Sequence, residues 1–222
     1  MDQSEFDIAA DLPQRGRRSQ ALVRAIDAAL PEPLVRRARA AISRLGGERL
    51  RSSYFTTFWL PREAVPEHPL EEAVLALWQL ARPRGCEGAE WWIGRAHTTY
   101  IPIGFHFDQD VKGKELRHPV ISSVFFFNRV RGGQLAVTDQ VPGTRGATRL
   151  ETVVPRRNRY AMFRGDLLHG VLDAQGRTPR RRLLDRPGRL RITLVVNFWK
   201  RRPTDVRTWK QSGRYRALSL QR

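Results

Sequence analysis

One cysteine, Cys86, is all that the 222 residues contain. That excludes an internal disulfide and makes a reducing cytoplasm the expected location. Lysine is nearly as scarce: four of the 40 basic residues are Lys (112, 114, 200 and 210) and the rest are Arg. Long apolar runs are missing as well. No stretch approaches the ~18 apolar residues needed to span a bilayer, and the start "MDQSEFDIAADLPQ" lacks the basic and apolar regions of a signal peptide, so no membrane partner is expected. Histidine occurs at only five positions, 68, 97, 106, 118 and 169, so imidazole chemistry has few places to reside.

What the chain does have is positive charge and enough apolar material to fold. Hydrophobic residues make up 41% and aromatics 9%, which suits one domain with a sizeable core. Residues 1–18 combine an acidic start with "QRGRRS" and no sustained apolar period, the pattern of a flexible N-terminal arm. Residues 19–222 then form a single domain, with helical support over about 19–85 and a β core over about 88–200. The formal charge of +18 has two readings of equal weight. It suits a polyanionic partner such as nucleic acid, and the Arg-over-Lys skew equally suits a GC-rich genome.

Apolar spacing at Leu22, Val23, Ile26, Ala29 and Leu30 predicts a first helix. "EPLVRRARAAISRLGG" predicts a second, stopped by Gly46 and Gly47, and Pro69 followed by Glu71 and Glu72 opens a third. After Gly88 the texture changes to short aromatic and β-branched runs, "WWIGRAHTTYIPI", "VISSVFFFN", "GQLAVTD", "LETVVP", "RYAMF" and "RITLVVNFW", separated by Gly- and Pro-bearing turns. The fold class expected is therefore mostly β with N-terminal helices, an antiparallel sandwich or barrel.

"GFHFDQD" places His106 and Asp108 one residue apart, so on a strand both side chains leave the same face. Alone, the pair also fits two polar residues on a solvated strand. His169, in "FRGDLLHGVL", is the third candidate. Two neutral imidazoles and one carboxylate on one face of a metal are the facial triad of non-haem Fe(II) oxygenases. Further on, Arg189, Arg191, Thr193 and Val195 share one face of "GRLRITLVVNFW", presenting guanidinium and hydroxyl from an apolar surface. A buried Arg calls for an anionic ligand or an acidic neighbour.

The order of these elements, His106-x-Asp108, "VFFFNRVRGGQLAVTD", "VVPRRNRYAMFRGDLLHGV" and "GRLRITLVVNFW", resembles the 2-oxoglutarate and Fe(II)-dependent dioxygenase superfamily, over roughly residues 95–199. Phe127-Asn128 leading into Gly132-Gly133-Gln134-Leu135, with Pro155 and Phe163 before His169, is most similar to the prolyl-hydroxylase-like branch. The resemblance implies a double-stranded β-helix (jelly-roll) core, Fe(II) on His106, Asp108 and His169, 2-oxoglutarate and O2 as co-substrates, and hydroxylation with release of succinate and CO2. It also implies that Arg191, with Thr193, holds the far carboxylate of 2-oxoglutarate, with Arg189 the alternative. Where the family often has a 2-oxoglutarate-binding Tyr, this chain has Phe125. Tyr100, Thr99 and Ser123 are the candidates to replace it, Tyr100 foremost.

Asp108 argues against halogenation, which needs a small residue there. Asn197, six residues after Arg191, argues against nucleic-acid demethylation, and Arg191-x-Thr193 against a cupin isomerase. The expected substrate is a small molecule or peptide. The basic loops "QDVKGKELRH", "QVPGTRGATR" and "GRTPRRRLLDRPG", including Arg180, Arg181 and Arg182, suggest that it carries an acidic group. Most Trp residues are expected in the core, with Trp92 and Trp199 nearest a cavity. The competing reading is a non-catalytic basic jelly roll that binds nucleic acid.

Overall fold

The structure is a computed structural model, and it describes residues 21–46, 56–97, 104–113, 115–178 and 190–218. The expected arm at 1–18, Thr99, Tyr100, Arg180–Arg182 and Arg189 lie outside these residues. In chain order the elements are β1 (Val23–Asp27), α1 (Glu32–Leu45), β2 (Phe58–Pro61), α2 (Pro69–Ala81), β3 (Gly88–His97), β4 (Ile121–Phe126), β5 (Gln134–Thr138), β6 (Leu150–Val153), β7 (Arg159–Arg164), β8 (His169–Leu172), β9 (Leu190–Trp199) and α3 (Trp209–Ser212). The strands form two antiparallel sheets. One has six strands in the order β1-β7-β4-β9-β3-β2, and the other has three in the order β6-β5-β8.

Alternation divides the core in two. One face of the large sheet carries Trp91, Ile93, Phe125, Leu194, Val196 and Phe198, and these pack against the apolar sides of α1 and α2. The opposite face carries Val124, Phe126, Ala161 and Phe163, which meet Leu135, Val137 and Val153 of the small sheet. This second cluster fills the space between the sheets. The result is the mostly β jelly roll with helical backing that the sequence suggests.

The first expected helix is instead β1, paired from Val23↔Phe163 to Asp27↔Arg159. Spacing at 22, 23, 26, 29 and 30 fits a helix face, but the segment gains more by closing the edge of β7. Val23 turns toward the inter-sheet cluster and Ile26 toward the helix-covered face, while Arg159 clamps Asp27 through two guanidinium hydrogen bonds of 2.6 and 2.7 Å. The two other helices stand where the pattern puts them, and His68 caps α2 by accepting the Glu71 backbone N–H at 3.3 Å.

Asn158 locks β1 and α1 to the sheet. Its backbone has φ 59°, the left-handed region that Asn tolerates. Its side chain accepts the Leu30 N–H at 2.9 Å and donates to the Leu30 carbonyl at 2.8 Å. Asn158→Ala would leave both buried Leu30 groups unsatisfied, at about 2–4 kcal/mol in total. A clear fall in the urea midpoint without a change in slope is the expected result; an unchanged midpoint would remove Asn158 as the lock.

Candidate metal centre

His106 and Asp108 do not lie on a continuous strand. Residues 104–110 are irregular apart from two isolated bridges, His106↔His169 and Asp110↔Arg117. The first bridge builds the site. The His106 N–H donates to the His169 carbonyl at 2.8 Å and the His169 N–H to the His106 carbonyl at 3.0 Å, which brings the imidazole rings to 4.5 Å between centroids. Gly170 makes this approach possible, because a Cβ there would come within 2.9 Å of the Phe105 ring.

Ligand atoms of His106, Asp108 and His169 all lie within 4.8 Å of one another. His106 Nε2 is 3.6 Å from Asp108 Oδ1, and His169 Nε2 is 3.4 Å from Asp108 Oδ2. Both rings are oriented from behind: Nδ1 of His106 meets the Gly104 carbonyl at 3.0 Å and Nδ1 of His169 meets the Leu167 carbonyl at 2.9 Å. Carbonyls only accept, so each Nδ1 carries the proton and each neutral ring turns an Nε2 lone pair inward. Asp108 is held in turn by the Ser122 hydroxyl, which donates to Oδ2 at 2.7 Å, while His118 Nδ1 meets its backbone carbonyl at 2.7 Å.

Three electron-pair donors thus face one point. Burial works against ionising Asp108, but the two imidazoles and Ser122 outweigh it and hold its pKa well below the carboxylate range. Burial also opposes charge on both histidines. At His169 it prevails and lowers the pKa; at His106, more exposed, the adjoining Asp108 raises it. A divalent cation satisfies all three groups at once, and this donor set suits Fe(II).

Beneath the centre the wall is apolar, with Phe163 at 4.8 Å from the His169 ring and the inter-sheet cluster beyond it. Arg191 and Thr193 stand on the inward face of β9, both buried. The Arg191 guanidinium lies 5.1 Å from the Phe126 ring centroid. Thr193 Oγ1 donates to the Gly94 carbonyl at 3.3 Å, in space that only a glycine leaves open: a Cβ on Gly94 would sit 2.3 Å from that oxygen. Ser123 does not approach the site, because it faces the other side of β4 and donates to the Val196 carbonyl at 2.6 Å. Phe125 also points away, into the helix-covered core, so the position expected of the missing Tyr is not an inward one.

Sequence pattern alone does not reveal the polar row beside the candidate metal ligands. Register places Glu90 opposite Asn197, and Asn197 opposite Ser122, on the inward face. A cavity of about 510 Å³ opens over Glu90, Gln109, Asp110, Trp199 and Thr204. Burial, reinforced by the charges of Asp108 and Asp110, pushes Glu90 up to about 7, against the opposing effect of Thr57 and Trp199. A Glu in an aromatic strand, "AEWWIG", and an Asn in "LVVNFW" were the available signals. Trp91 belongs to the core, whereas Trp199 lines the cavity.

No protein-family model and no curated protein matches the chain. Solved structures do. AviO1 from Streptomyces viridochromogenes is 14% identical with a TM-score of 0.51, covering 83% of this chain and 92% of that one. A prolyl 4-hydroxylase from Phytophthora capsici is 15% identical with a TM-score of 0.50, covering 85% and 61%. A prolyl-4-hydroxylase from Pseudomonas putida is 23% identical with a TM-score of 0.49, covering 81% and 89%. At these identities the likeness to AviO1 and to the Phytophthora capsici structure is one of fold alone.

Proposed function

We propose that this chain is a non-haem Fe(II)- and 2-oxoglutarate-dependent dioxygenase that hydroxylates a C–H bond of an amino acid, peptide or small metabolite. The observation that carries the reading is the convergence of His106, Asp108 and His169, with both Nδ1 protons tied to backbone carbonyls and both Nε2 lone pairs turned inward. Iron held there by His106, Asp108 and His169 would supply O2 activation coupled to decarboxylation of 2-oxoglutarate to succinate and CO2, with hydroxylation of the substrate.

The chain's own residues then have separate tasks. His106, Asp108 and His169 hold the metal, and Ser122 fixes the carboxylate orientation. Arg191 and Thr193 bind the far carboxylate of 2-oxoglutarate, with Tyr100 as a further contact. Val124, Phe126, Val137 and Leu167 keep the interior dry, which strengthens each charge interaction within it. Among the described residues no helix is long and apolar enough to cross a membrane.

Purified protein given Fe(II) and 2-oxoglutarate in air should form succinate slowly without added substrate, and none when metal is chelated. Absence of succinate, together with salt-sensitive binding of DNA or RNA, would instead support the basic nucleic-acid-binding module.

A further inference from the structure

We propose that the cavity beside the metal centre binds a free amino acid as a zwitterion, with Glu90 holding the ammonium group and the basic rim facing the carboxylate. This rests on the dioxygenase reading for its chemistry, but not for its binding geometry. Glu90 and Ser122 flank Asn197 in one cross-strand row, so Glu90 stands two strand spacings, roughly 10 Å, from the residue that holds Asp108. A small molecule seated on Glu90 therefore reaches toward the metal ligands.

The cavity's two floor carboxylates differ in what they have left to offer. Asp110 is fully engaged: Arg117 reaches Oδ2 at 2.5 Å, and Thr204 donates to the same atom from its N–H at 3.0 Å and its hydroxyl at 3.1 Å. Glu90 has Thr57 and Trp199 beside it among the described residues, and a carboxylate has about four acceptor positions. Among the described residues no basic side chain pairs with it. Its raised pKa comes from burial first and then from the charges of Asp108 and Asp110. Next in the row, Asn197 is 1% exposed, and among the described residues its Oδ1 has no hydrogen-bond partner. Glu90 and the Asn197 amide oxygen together hold more acceptor positions than the neighbouring Thr57 hydroxyl and Trp199 indole N–H can fill, which suits a ligand rich in N–H, and a primary ammonium offers three.

Basic groups occupy the rim. Lys112 is tied to Asp205 at 3.3 Å and Arg214 donates to Thr56 Oγ1 at 2.8 Å, while Arg207 is exposed on the same wall. In solvent their fields are screened, whereas the field of Glu90 acts at the sheltered floor. Acid below and base above match the polarity of an amino acid, and about 510 Å³ accommodates any of the twenty.

The test is calorimetric titration of the full chain with each of the twenty L-amino acids and with the N-acetyl derivative of every one that binds. At least one free amino acid is expected to bind. Its N-acetyl form should bind about tenfold more weakly or worse, and Glu90→Gln should weaken the free form by a similar factor and remove the discrimination. The comparison of free and acetylated ligands on the unmutated chain stands even if the variant folds poorly. Binding by none of the twenty, or equal binding of free and acetylated forms, overturns the proposal. Missing succinate with amino-acid binding intact would instead sink the dioxygenase reading alone.

Discussion

Asp108→Ala is expected to abolish metal binding and 2-oxoglutarate turnover together while the chain remains folded. The carboxylate is the anionic member of the triad and sits between the two imidazoles, 3.6 Å from one and 3.4 Å from the other. Its loss removes the charge that offsets desolvation of the cation, so several kcal/mol of metal stabilisation disappear and turnover falls roughly 10³-fold or more. Folding should survive, because the backbone bridge between His106 and His169 does not involve this side chain. Ser122→Ala sets the scale. It removes only the 2.7 Å hydrogen bond that orients Asp108, and should cost about 10- to 100-fold in metal affinity. Titration with Co(II), followed by its visible absorption, separates the two: no saturable signal for Asp108→Ala and a right-shifted curve for Ser122→Ala. A normal Co(II) spectrum from Asp108→Ala would leave the proposed centre without its anchor.

Legibility in the sequence followed the range of the interactions. The His106-x-Asp108 pair could be singled out because its spacing is local, and His169 because so few histidines were available. What brings them together is a non-local backbone bridge and a glycine at 170, neither of which has a local pattern. The helices α1 and α2 were legible because each carries a stop or start signal, Gly46 and Pro69, beside a continuous apolar face. β1 was not, since its short apolar pattern satisfies a helix until β7 supplies a partner. Alternation also decided between candidates that composition leaves equal. Ser122 and Ser123 are adjacent and chemically identical, but one holds Asp108 and the other faces the opposite side of the sheet. Glu90 is hidden in the sequence for the same reason. Its significance depends on the register that sets it opposite Asn197, two strands from Ser122.

Arg191→Met is expected to raise the KM for 2-oxoglutarate by roughly 10- to 100-fold, with metal affinity unchanged. The reasoning begins with position. Arg191 is 6% exposed on the inward face of β9, the face that also carries Thr193 and Asn197, and its guanidinium lies against the Phe126 ring in the same interior. A cation kept there at a high desolvation cost is suited to the far carboxylate of a dianionic co-substrate. Met keeps much of the volume and packing on Phe126 while deleting a charge-assisted contact worth about 1.5–3 kcal/mol. The proposed metal ligands come from the 104–110 segment and β8, so Co(II) binding should be indifferent to the change. Thr193→Val tests the neighbouring hydroxyl by the same assay, with a smaller rise in KM of about tenfold or less, since one neutral hydrogen bond is at stake. Gly94→Ala should resemble Thr193→Val, because the new methyl would occupy the space of the Thr193 hydroxyl. Steady-state succinate formation across a range of 2-oxoglutarate concentrations measures all three. An unchanged KM in Arg191→Met would remove this side chain from the 2-oxoglutarate site and leave the position to another cation.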